Sequence, residues 1–90
     1  MENNKYLDKV VEYLIRRTKI DYEKGEIILP FTTNSTPFGL SAFIYFYRTH
    51  TFSLPFVKYC NGQFGLTEEE IRYVYYKYVN IIEYKIKNEQ

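Results

Sequence analysis

The run FGLSAFIYFYR, residues 38–48, has no polar face, and its single charge, Arg48, stands at its end. A segment apolar on every side has to lie in a membrane, in a core or under another molecule. The longest weakly charged stretch, Leu29 to Tyr47, is broken by Pro30, by the polar residues 32–36 and by Pro37. About eleven apolar residues remain where a membrane span needs about twenty, so the run reads as core. Short apolar runs are ambiguous in period, and Phe, Ile and Tyr also favour sheets. Ser35 or Thr36 ahead of Pro37 tips the reading to a helix, because a hydroxyl caps free amides and Pro fits a first turn.

The rest of the chain has to cover that segment. Ninety residues have room for one modest core and are read as one domain, 1–90. At 100° per residue, Tyr6, Leu7, Val10, Val11, Tyr13, Leu14 and Ile15 share one broad side, and Asp8, Lys9, Glu12 and Arg16 the other. That predicts an amphipathic helix over 3–18. KIDYEKGEIILPF predicts a hairpin of Lys19–Tyr22 and Glu26–Phe31 around Glu23, Lys24 and Gly25, with Pro30 placing the second strand at an edge.

A short helix is expected from Ser53, with Pro55 in its first turn, to Cys60, ended by Asn61-Gly62. Thr67 and Glu70 form a capping box, and Glu68, Glu69 and Glu70 sit where the helix dipole favours acids. A helix over 67 to about 87 follows. Its inner face collects Ile71, Val74, Tyr75, Tyr78, Val79, Ile81, Ile82 and Ile86, and its outer face Arg72, Tyr73, Tyr76, Lys77, Asn80, Tyr84 and Lys87. The expected fold class is α+β, mostly α-helical: an N-terminal amphipathic helix, a short hairpin, a buried central helix and a long C-terminal helix.

Twelve basic and eleven acidic side chains leave a net charge of +1, so no global field draws in nucleic acid or an anionic membrane. Any charged patch is local. One cysteine makes no internal disulfide, and no charged leader with an apolar segment opens the chain, which sets a cytoplasmic expectation. Phe, Tyr, Ile, Asn and Lys are common while Ala occurs once, at Ala42. That bias suggests an AT-rich coding genome and points to a virus, phage, mobile element or AT-rich microbe.

Candidate chemistry is thin. His50 and Cys60 are the chain's one histidine and one cysteine, and no third group or surrounding motif orients them as a thiolate–imidazole pair. A zinc site needs three or four ligands. The glutamates 68–70 point in different directions on a helix and are explained by capping. NGQFG lacks the lysine and spacing of a phosphate loop, and the acids after it repel phosphate. The order Ser53–Cys60, turn, helix from Thr67 fits a helix-turn-helix, but a recognition helix that starts with three glutamates faces phosphates with the wrong charge. The expectation is a non-enzyme with no cofactor, no metal and no small-molecule substrate.

Two surface features remain. Arg16, Arg17 and Lys19, with Lys24 in the nearby turn, either complement a helix C-terminus or contact phosphates. Tyr73, Tyr76 and Tyr84 alternate with Arg72, Lys77 and Lys87 on the outside of the last helix, as aromatic and cationic residues do in protein interfaces and single-strand platforms. The expected function is an interaction protein, of viral or phage type and modulating a host factor, that binds a protein or forms a homodimer through Arg72, Tyr73, Tyr76, Lys77 and Tyr84. The alternative is a nucleic-acid-binding regulator using Arg16, Arg17, Lys19 and Lys24.

Overall fold

The computed structural model describes residues 2–31, 37–49 and 54–89. In chain order they form α1 (Glu2–Arg16), β1 (Lys19–Asp21), β2 (Glu26–Ile28), β3 (Phe38–Gly39), α2 (Leu40–Thr49), α3 (Leu54–Phe64) and α4 (Glu68–Glu89). This is the mostly helical α+β fold expected. The loop at 32–36 with its capping hydroxyls, His50, and the helix start at Ser53 lie outside the described residues.

The long last helix starts where its capping box says. Thr67 N–H donates to Glu70 Oε1 at 2.8 Å and Glu70 N–H donates to Thr67 Oγ1 at 3.3 Å. From there Ile71, Val74, Tyr75, Tyr78, Val79, Ile82 and Ile86 are buried, while Ile81, expected inside, is exposed. α4 packs most extensively on α1 and also on α2 and α3, so the C-terminal helix is the centre of the molecule. The α1 residues Leu7, Val10, Val11 and Leu14 are buried against the same cluster. Tyr6 and Tyr13, placed on that apolar side by periodicity, are exposed at its margin.

Tyr78 is fully buried, and its hydroxyl lies 2.6 Å from Thr18 Oγ1. Thr18 gives its own proton to the Leu14 carbonyl at 2.8 Å, so Tyr78 is the donor to Thr18. Phe31, just past β2, sets its ring against Phe56 at 4.9 Å, Tyr78 at 5.9 Å and Tyr47 at 6.1 Å, joining three helices. Edge-to-face pairs of this kind add about 0.5–1.5 kcal/mol each beyond the area they bury.

Two expectations are corrected in the middle of the chain. The apolar run forms a helix from Leu40 on, its first two residues Phe38–Gly39 being strand β3, and among its described side chains α2 buries only Leu40, Phe43 and Tyr47, with Ile44 half-buried. Ser41, Ala42, Tyr45 and Phe46 face out, because α4 already fills the centre and leaves α2 one face to pack. The hairpin gains a third antiparallel strand, in the order β1-β2-β3. Ile27 is the pivot, opposite Ile20 on one side and Phe38 on the other, and it is fully buried. β2 is therefore the middle strand and not an edge; it stops at Ile28, before Pro30 could remove a ladder donor.

The third helix runs past its predicted stop. Gly62 lies inside α3, and the chain turns instead at Gly65, whose φ is +63° and whose N–H reaches the Asn61 carbonyl at 3.0 Å. Asn61 also donates its side-chain amide to the Leu66 carbonyl at 3.2 Å, so the asparagine expected to end the helix secures the turn beyond it. A methyl added at Gly62 or at Gly65 meets no atom within 4 Å, so backbone conformation alone separates the two sites. Gly62→Ala is expected to stabilise the fold by about 0.5–1 kcal/mol, and Gly65→Ala to destabilise it by about 1–2 kcal/mol. Urea unfolding of both variants checks the pair, and equal midpoints would contradict the turn assignment.

Candidate functional site

The outer face of α4 divides into two parts. Tyr73 is half-buried and its hydroxyl donates to Asp8 Oδ1 on α1 at 2.9 Å. Lys77 Nζ lies 3.6 Å from the same carboxylate oxygen and 5.0 Å from the centre of the Tyr73 ring. The hydrogen bond with Tyr73, and after it the Asp8 charge, hold the Lys77 ammonium above its ordinary pKa. These two residues clamp α4 to α1. Tyr76 and Tyr84 do nothing of the kind: they are 71 % and 69 % exposed, and neither hydroxyl bonds to any described residue.

Four residues per step along a helix keep nearly one line, so Arg72, Tyr76, Asn80 and Tyr84 form a continuous exposed row, its two rings about 12 Å apart along the axis. Arg72 pairs with Glu68 at 3.3 Å and Lys87 with Glu83 at 3.2 Å, both one turn apart. The five interface candidates thus separate into the clamp residues Tyr73 and Lys77 and the open row containing Arg72, Tyr76 and Tyr84.

Arg16, Arg17, Lys19 and Lys24 are all exposed, and none makes an ion pair among the described residues. They do not converge on one point. Arg17 sits over the Tyr13 ring at 5.1 Å, whose edge meets Phe64 of α3 at 5.7 Å. Lys24 occupies the hairpin turn beside Asp21 and Glu23, and its N–H donates to Asp21 Oδ1 at 3.1 Å.

Cys60 is fully enclosed on α3, and loss of hydration pushes its thiol up to about 12, so it is a protonated apolar side chain at neutral pH. Among the described residues no three His, Cys, Asp or Glu side chains gather as metal ligands. No helix of the described chain is long and apolar enough to cross a membrane. A groove of about 330 Å³ between α3 and α4 is lined by Val57, Lys58, Asn61, Leu66 and Ile71, with Thr67 and Glu68 at its rim. Its acid is already paired to Arg72 and its threonine caps α4.

Sequence reasoning missed the outer side of α2. Tyr45 is 71 % and Phe46 43 % exposed, and Phe38 of the adjoining strand is exposed too. The available signal is the small pair Ser41-Ala42 opposite the bulky Leu40, Phe43 and Tyr47. No family model, no curated protein and no solved structure matches this chain.

The buried hydroxyls and thiol set an alkaline limit. Burial raises Cys60 and Tyr75 to about 12, and raises Tyr78 as well. All three acids ionise more readily when unfolded, so the stability tied to their neutral forms is whole below the ordinary thiol and phenol values and is lost as pH climbs towards 12. Urea midpoints should be flat from pH 7 to about 8.5 and fall from about pH 9 upward. Cys60 should resist alkylation at pH 7 in the folded state; rapid labelling there would contradict its enclosure.

Proposed function

We propose that the chain is a small non-enzymatic interaction protein that binds through the exposed row on α4, to a second copy of itself in the first instance or to another protein. The observation that carries this reading is the exposure of Tyr76 and Tyr84 on one line with Asn80 between them. A tyrosine ring buries a large area while its hydroxyl keeps a hydrogen bond, which suits a surface that is wet alone and dry when bound. Charge supports the self-association. Two α4 helices laid antiparallel bring Glu68, Glu69 and Glu70 of one copy towards Lys85 and Lys87 of the other and oppose their dipoles.

The AT-rich composition supports the finer version, a viral or phage accessory protein acting on a host factor in the cytoplasm. Solution mass across a concentration series tests the interface. Wild type should dimerise, and Tyr76→Ala or Tyr84→Ala should each weaken the dimer roughly 30-fold, the effect of about 2 kcal/mol at an interface anchor. Monomer stability should change by less than about 0.5 kcal/mol. A wild type that stays monomeric and recovers no partner protein, with both variants indistinguishable from it, sinks the proposal.

The second reading is a nucleic-acid-binding regulator, favoured by the exposure of Arg16, Arg17, Lys19 and Lys24 without ion pairs among the described residues. It expects oligonucleotide binding that weakens on Arg16→Ala or Arg17→Ala and falls steeply with salt. Titrations whose affinity ignores both variants and the salt concentration would remove it.

A further inference from the structure

We propose that the outward face of α1 is a track for single-stranded nucleic acid, an inference that rests on the second reading above and gives it a surface and a ligand form. Lys5, Tyr6, Lys9, Tyr13, Arg16 and Arg17 are all exposed. At 100° per residue they fall within about a third of the helix circumference, beside the buried Leu7, Val10, Val11 and Leu14, with the two rings at the margin of that buried face. From Lys5 to Arg16 the stripe runs roughly 16 Å along the axis. It holds four cations and two half-open rings, with the exposed acid Glu12 at its border.

Asp8, about 60° beyond Lys5 on the same helix and half exposed, is occupied by Tyr73 and Lys77 of α4. Among the described residues none of the four cations makes an ion pair, and Glu12 is the acid that borders them. The helix dipole explains Arg16 and Arg17 at the C-terminal end, but it disfavours Lys5 in the N-terminal half, so capping does not account for the stripe.

The chemistry selects the ligand. An anionic membrane is a poor fit, because an interfacial helix inserts its apolar face and that face is here sealed in the core. Duplex DNA keeps its bases stacked inside and has no use for the rings. Tyr6 and Tyr13 lie seven residues apart on the same stripe, and both are fixed against Phe64 of α3: the Tyr6 hydroxyl 3.5 Å from its carbonyl, the Tyr13 ring edge-on at 5.7 Å. Arg17 lies over the Tyr13 ring, as guanidinium groups do on single-strand platforms. Cations spaced along a line with anchored rings between them match a phosphate chain whose bases are unpaired.

The test is fluorescence anisotropy with labelled oligo-dT and oligo-U of about 16 nucleotides, a length one small fold can cover, beside a duplex of equal length. Binding to the single strands should exceed binding to the duplex. It should weaken roughly 20- to 50-fold between 50 and 200 mM salt, the slope of three to four phosphates on a single strand. Lys9→Glu should lower affinity at least tenfold, and Tyr6→Leu about fivefold or more, with Tyr6→Phe near wild type. Circular dichroism confirms that each variant is folded. Binding that responds to Lys19→Ala or Lys24→Ala but not to the Lys9 and Tyr6 variants overturns the α1 track while leaving the nucleic-acid reading standing. No binding to any oligonucleotide at 50 mM salt overturns both. Polyglutamate competing as well as oligo-dT, by mass, also overturns the track, since it would mark an acidic protein as the ligand.

Discussion

The fold depends on sealing α4. A helix whose buried residues, from Val74 round to Val79, span about 140° of its circumference needs more than one neighbour to seal them, so three other helices are drawn around it. Tyr78 at its middle makes that arrangement specific. A buried phenol without a partner is costly, and among the described residues its partner is the Thr18 hydroxyl just beyond α1, sixty residues away in sequence. That bond sets the C-terminal end of α1 against the middle of α4. The Asp8 clamp with Tyr73 and Lys77 sets it again nearer the start of both helices, so α1 has two points of register and little freedom to slide.

The tyrosines divide by what their hydroxyls do. Tyr78 and Tyr75 are buried and donate inward, Tyr75 to the Tyr47 carbonyl at 3.2 Å, and Tyr73 donates across the α1–α4 contact. Tyr22 reaches from the hairpin turn to the Lys85 carbonyl at 3.4 Å, tying the sheet to the far end of α4. Tyr76 and Tyr84 are largely exposed, and their hydroxyls bond to no described residue. Eleven tyrosines in ninety residues can come from codon supply alone, but supply does not place two of the least engaged on one helical line. That placement gives the interface reading its footing.

A net charge of +1 conceals a separation that has consequences. The acids of α4 are concentrated in its first turn, where they face solvent beside a short turn from α3. The cations of α1 lie along its outward side. On the proposed nucleic-acid reading the first helix would be the contact surface and the acidic start of the last a repulsive one, the reverse of a helix-turn-helix. A protein partner would meet the uncharged rings of α4 or the exposed Tyr45 and Phe46 of α2.

Local rules made the helices legible before the fold was known. The capping box at Thr67 and Glu70, the spacing of Leu7, Val10, Val11 and Leu14, and the Gly25 turn are short-range signals whose energies act within a few residues. What periodicity could not say is which apolar face wins the centre. Residues 38–48 looked like the core because nothing in them is polar, yet α4 holds that place through wider buried contacts and leaves Tyr45 and Phe46 outside. Whether Tyr73 is free or clamped depends on Asp8, sixty-five positions earlier, and whether Gly62 or Gly65 ends α3 depends on where the chain must turn to deliver Leu66 into the core. Sequence by itself determined the four helices and the first hairpin, because their causes are local; the tertiary structure decided the third strand, burial, partners and open faces, because those follow from residues far apart in the chain competing for one small interior.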